Sequence, residues 1–128
     1  MSEYIDEELK TVEVKIKIKD EKTGKEEEKV IESKDFYISK FPAVLGREIM
    51  MRYSVSMAKI DKDYAENEEI LRKMMKFVRV ELPDGRKIAL DSETLINNHV
   101  SGGEMLQALE NAVLAHNFSF FRDGNLSD

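Results

Sequence analysis

The stretch "TVEVKIKIK", residues 11–19, decides the fold. Val12, Val14, Ile16 and Ile18 recur at every second position, with Glu13, Lys15, Lys17 and Lys19 between them. A period of two in β-branched residues is the signature of a strand with one buried and one solvated face. The following "DEKTGK", residues 20–25, carries a glycine suited to a tight turn, so the chain should double back as a hairpin. The return strand is expected within residues 26–33. Its register is open, because Glu26, Glu27 and Glu28 are consecutive and only Val30 and Ile31 are apolar.

Upstream, residues 1–10 read as a flexible acidic leader. Downstream, the period changes. Pro42 suits the first turn of a helix, where its missing N–H is not needed. Leu45, Ile49 and Tyr53 then follow at intervals of four, with Met50 and Met57 beside them on one broad face. Gly46 within this helix costs up to ~1 kcal/mol relative to alanine, and close approach by a neighbouring element would offset that. A second helix, entered through the polar "DKDYAENEE", carries Ile70, Leu71, Met74, Met75, Phe77 and Val78 opposite Arg72, Lys73 and Lys76. "LPDGRKIAL", residues 82–90, places Pro-Asp-Gly between apolar runs and predicts a small hairpin from about Val78 to Leu90.

Asp91 or Ser92 can cap a short third helix through "SETLINNHV". Ser101 and Glu104 then stand at capping-box spacing before a stripe of Met105, Leu106, Leu109, Ala112 and Val113. Phe118, Phe120 and Phe121 follow at once, and residues 122–128 read as a flexible tail. The expected architecture is α+β: one domain over residues 11–121, with an N-terminal β-hairpin, three to four helices packed against it and a short second hairpin.

Composition narrows function more by exclusion than by signature. A net charge of −6 disfavours non-specific nucleic-acid binding, which needs clustered cations. The lysines of residues 15–19 read as a solvated, charge-blunted strand face, with a nucleic-acid patch as the alternative. The chain has no cysteine, which removes disulfides, thiolate catalysis and cysteine-ligated zinc and fits a reducing compartment. No apolar run approaches the ~18 residues of a membrane span, and "MSEYIDEELK" lacks the basic-then-apolar order of a signal peptide.

His99 and His116 each lack a second ligand at metal spacing. The Ser101-Gly102-Gly103 helix start could hold an anion, but Glu104 places negative charge at the same end. The carboxylates lie in charge runs such as Glu26–Glu28 and Glu66–Glu69, rather than as isolated acids in apolar settings. No catalytic residue, cofactor or metal is expected, and the protein reads as a non-enzyme. Methionine is the unusual feature. Met50, Met51, Met57, Met74, Met75 and Met105 lie on the three main helices, and such soft, adaptable side chains suit either a plastic core or a promiscuous docking face. Adjacent pairs on a helix point about 100° apart and cannot share one narrow seam. Met50, Met51, Met74, Met75, Phe118, Phe120 and Phe121 are therefore the candidate partner-binding residues.

An ordered set of segments carries a family resemblance. "FYISKFPA" (36–43) leads into "GREIMMRY" (46–53), a charged second helix follows, then "VELPDGRKIAL" (80–90) and "LINNHVSGGEMLQALENAVLAHNFSFF" (95–121). From Phe36 to Phe121 the chain resembles the tail assembly chaperones of long-tailed bacteriophages. The lysine-rich first strand is less typical of the smaller helical members. The resemblance implies a non-enzymatic holdase of virion morphogenesis. Such a protein binds the tape measure protein, helps recruit tail tube subunits, works in the host cytoplasm and is absent from the mature virion. Excess apolar surface is also consistent with a homo-oligomer. A structural tail or baseplate component, with strand 12–19 joined to a neighbour's sheet, is the alternative, and a small protein-binding adaptor domain is a further one.

Overall fold

In the computed structural model the backbone is described for residues 4–58 and 64–118, and the side chains for 4–52 and 68–118. The order of elements is β1 (Ile5–Lys19), β2 (Glu26–Lys40), α1 (Ala43–Ala58), α2 (Tyr64–Met75), β3 (Val78–Glu81), β4 (Lys87–Ala89), α3 (Glu93–His99) and α4 (Gly103–Asn117). The strands form one antiparallel sheet in the order β1-β2-β3-β4. The fold is α+β, with the N-terminal hairpin leading into the helices.

Both turns follow from local chemistry. At the first, Asp20 accepts from the backbone N–H of Lys22 at 2.8 Å, and Gly24 supplies a φ of 72°. At the second, the Gly85 N–H reaches the Leu82 carbonyl at 2.9 Å with φ 90°. Positive φ is available to glycine without steric cost. Ser92 caps α3, accepting from the Leu95 N–H at 3.2 Å. The expected Ser101–Glu104 capping box does not form: Gly102 is the N-cap of α4 and makes no side-chain cap bond.

The hairpin is longer than expected at both ends. Ile5–Lys10 belongs to β1 rather than to a loose leader. A bulge lets it do so: Ile5 pairs Lys40 and Glu8 pairs Ile38, so one extra residue is absorbed where Asp6 adopts φ 47°. The return strand runs to Lys40 rather than stopping near residue 33, because Phe36 and Ile38 turn inward and are fully buried. A second irregularity falls between Val14–Glu32 and Lys15–Val30, leaving Ile31 as the additional residue.

One face of the sheet carries Val12, Val14, Phe36 and Ile38 into the core, where α4 packs on β1 and β2. Met105, Leu109, Val113 and Leu114 supply the α4 side of that contact. The α1 and α2 helices pair with each other, and α2 touches α4. Gly46 does not mark a close approach: a Cβ there would meet only the Phe41 Cβ at 3.6 Å, an ordinary contact.

Candidate functional site

The hairpin outgrows the body. Val12, Val14, Phe36 and Ile38 are buried, but no residue from Lys15 to Lys29 is. At ~3.3 Å per residue the five positions from Lys15 to Lys19 extend roughly 17 Å beyond the last buried residue of β1. Apolar side chains nevertheless stand on this arm: Ile16, Ile18, Val30 and Ile31 are 39%, 46%, 43% and 51% exposed. Lys15 pairs across from Val30, and its ammonium lies 4.0 Å from Glu28.

A second uncovered surface lies on α1. Ile49 is buried and Leu45 packs against the core, whereas Val44, Met50 and Met51 are exposed. Val44 and Met51 are seven residues apart and share one face of the helix. That face is bordered by a charge network. Glu48 accepts from Arg52 at 2.9 Å and Lys73 at 2.7 Å, while Glu69 lies 3.4 Å from Arg52 and 3.6 Å from Lys73. The hydrogen bonds from Lys73 and then Arg52 hold the Glu48 carboxyl below its ordinary value. This network ties α1 to α2. An open depression beside it is lined by Glu68, Glu69, Arg72, Lys73 and Lys76, and it is too open to enclose a small ligand.

A third cluster sits on the sheet face away from the core. Arg79 donates to both oxygens of Glu7 and lies 3.9 Å from the Tyr4 ring centroid, and Lys87 lies 3.9 Å from the Tyr37 centroid. These are paired groups that fasten the sheet, the Glu7 carboxylate being engaged by Arg79 and 3.5 Å from Lys87.

The seven candidate residues part company. Met50 and Met51 are on the surface. Met74 and Met75 are completely buried, so their assignment to a docking face is corrected. They can both be internal because α2 ends at Met75, where the chain turns into β3. Neighbours 100° apart are then enclosed by a helix that packs against both α1 and α4. Phe118 is half-buried, its ring 6.2 Å from that of Phe41, and closes the core beyond α4. Phe120 and Phe121 lie outside the described residues, as does the side chain of Met57. His116 is buried with Nε2 3.2 Å from the Asp6 carbonyl, and the His99 carbonyl accepts from the Lys34 ammonium.

Sequence reading offered strand 12–19 only as a sheet edge in the alternative reading and did not place Ile16, Ile18, Val30 and Ile31 among the candidate residues. The signal was present in alternation that continues through Ile16 and Ile18 after the return strand has become wholly charged. Among the described residues no group of three or more His, Cys, Asp or Glu side chains could hold a metal ion, and no helix is long and apolar enough to cross a membrane. No family model, curated protein or solved structure matches the chain.

Proposed function

We propose that this chain is a non-enzymatic chaperone of phage tail assembly that binds the tape measure protein, with tail tube subunits as a second partner. The observation that carries this reading is apolar surface left uncovered by a folded body: Val44, Met50 and Met51 on α1, and Ile16, Ile18, Val30 and Ile31 on the arm. A helix-in-groove mode needs adaptable apolar anchors framed by charge, and α1 offers methionines bordered by the Glu48–Arg52–Glu69–Lys73 network. The apolar stripe of a long helical client would lie along it. The segments from Phe36 to Phe121 that resemble tail assembly chaperones support the choice of client. The work would take place in the host cytoplasm, before the virion is complete.

One observation favours a second reading. β1 is an edge strand of 15 residues, and such an edge can accept a neighbour's strand. A structural tail or baseplate component would use it in that way. Immunodetection across assembly intermediates and purified particles separates the two. The chaperone reading expects the chain with the tape measure protein in intermediates and its absence from particles. Stoichiometric retention in particles would overturn it.

A further inference from the structure

The arm has two edges of opposite charge. On β1, Lys15, Lys17 and Lys19 are interrupted only by isoleucines. On β2, Glu26, Glu27 and Glu28 are consecutive. Within the chain the register sets Lys17 opposite Glu28 and Lys19 opposite Glu26. Among the described residues the outer side of each strand is open at this level. β1 ends the sheet, and β3 pairs with β2 only at Tyr37 and Ile38. Beyond the body the arm is a bare two-stranded ribbon, a structure that is marginal in water when isolated.

We infer that the arm joins copies of this chain into one sheet, the basic edge of one copy pairing with the acidic edge of the next. Three edge pairings are open to two such arms. β1 against β1 sets lysines beside lysines, and β2 against β2 sets glutamates beside glutamates, both unfavourable between directly opposed residues. β1 against β2 of the next copy, in the in-chain register, sets Lys17 beside Glu28 and Lys19 beside Glu26, with Lys15 beside Val30. With both arms pointing the same way this third pairing is antiparallel. It is confined to the arms, because β3 already occupies the outer side of β2 at Tyr37 and Ile38 and the sheet twist must swing the two bodies apart. The pleat then places lysines and glutamates of adjacent copies on a common face. Lys17 and Lys19 then each have a glutamate opposite on both sides. The same lysines that deter like edges thus select one partner edge.

Such contacts are head-to-tail rather than two-fold, so they close into a ring or continue as a filament according to the rotation between copies. The inference goes beyond the chaperone reading and does not depend on the client. Docking of copies through the arm leaves the α1 face free.

The absence of cysteine makes a direct test simple. Chains carrying Lys17→Cys and chains carrying Glu28→Cys, oxidised as a mixture, are expected to give the mixed disulfide in excess over either self-linked product. Sedimentation velocity of the wild type should show association that rises with concentration and weakens with salt. A charge-exchanged chain, with Lys15, Lys17 and Lys19 changed to Glu and Glu26, Glu27 and Glu28 changed to Lys, keeps the pairing inside its own arm. It should associate with itself, but with the wild type roughly tenfold or more weakly. A wild-type monomer at all concentrations would overturn the inference. Preferential Lys17→Cys self-linkage, or free mixing of charge-exchanged and wild-type chains, would do so as well.

Discussion

Arg79 holds Glu7 with two parallel hydrogen bonds, Nε to Oε2 at 2.8 Å and Nη2 to Oε1 at 2.7 Å, across a strand that belongs to neither residue. Glu7 is on β1, Arg79 on β3, and Tyr37 of β2 lies between. The two side chains are 13% and 21% exposed. A bidentate charge-assisted pair this sheltered is worth more than a surface ion pair. It pins the first residues of β1, beyond the bulge at Asp6, to the centre of the sheet. Glu7→Gln removes the charge, keeps the shape and should cost about 1–3 kcal/mol in urea denaturation. Amide exchange in Ile5–Lys10 should rise more than in Phe36–Ile38.

The same pair sets an acid limit. The hydrogen bond from Arg79 holds the Glu7 carboxyl below its ordinary value of 4.5, helped by the charges of Arg79 and Lys87 and opposed by desolvation. A carboxylate whose pKa is depressed on folding contributes stability that is complete above its unfolded pKa. That contribution is lost as pH falls through the folded value. The melting temperatures of wild type and Glu7→Gln should therefore differ most at neutral pH and converge on acidification below about 4.5.

Methionine burial gives a sharp contrast between two adjacent pairs. Met74 and Met75 are fully buried, so alanine at either should cost about 2–5 kcal/mol through lost packing and the cavity left behind. Met51 is 59% exposed, and Met51→Ala should change stability by no more than about 0.5 kcal/mol. Chemical denaturation of the three variants distinguishes these outcomes.

Two glycines should respond in opposite directions. At Gly46 a Cβ meets only ordinary contact inside a helix, so Gly46→Ala should stabilise by about 0.5–1 kcal/mol. At Gly85, φ 90° lies where a Cβ is strained, and Gly85→Ala should cost about 1–2 kcal/mol. Thermal melts of the two single variants check the sign.

The fold was legible where local pattern and burial agree. The alternation of Val12 and Val14, the Pro-Asp-Gly turn and the stripe from Met105 to Val113 each placed an element correctly. Ile5–Lys10 was not legible as strand, because its pairing depends on a bulge and on Arg79, which lies some seventy residues away in sequence. Nor was the inward turn of Phe36 and Ile38, which lie beside the helical segment after Pro42 and read as its lead-in. The candidate site was half legible. Helical phase separates Met50 from Met51, but it cannot reveal that the end of α2 is enclosed on two sides and so buries both Met74 and Met75.

Binding of a tape measure fragment to the α1 face is measured most directly by calorimetric titration of wild type and of the Val44→Asp, Met51→Asp double variant. Both substituted positions are exposed, at 86% and 59%, so the variant should melt with the wild type. The expected result is saturable binding by the wild type and a loss of roughly tenfold or more in the variant. Equal affinity of the two proteins, or no binding of the fragment by the wild type, would contradict a client site on α1.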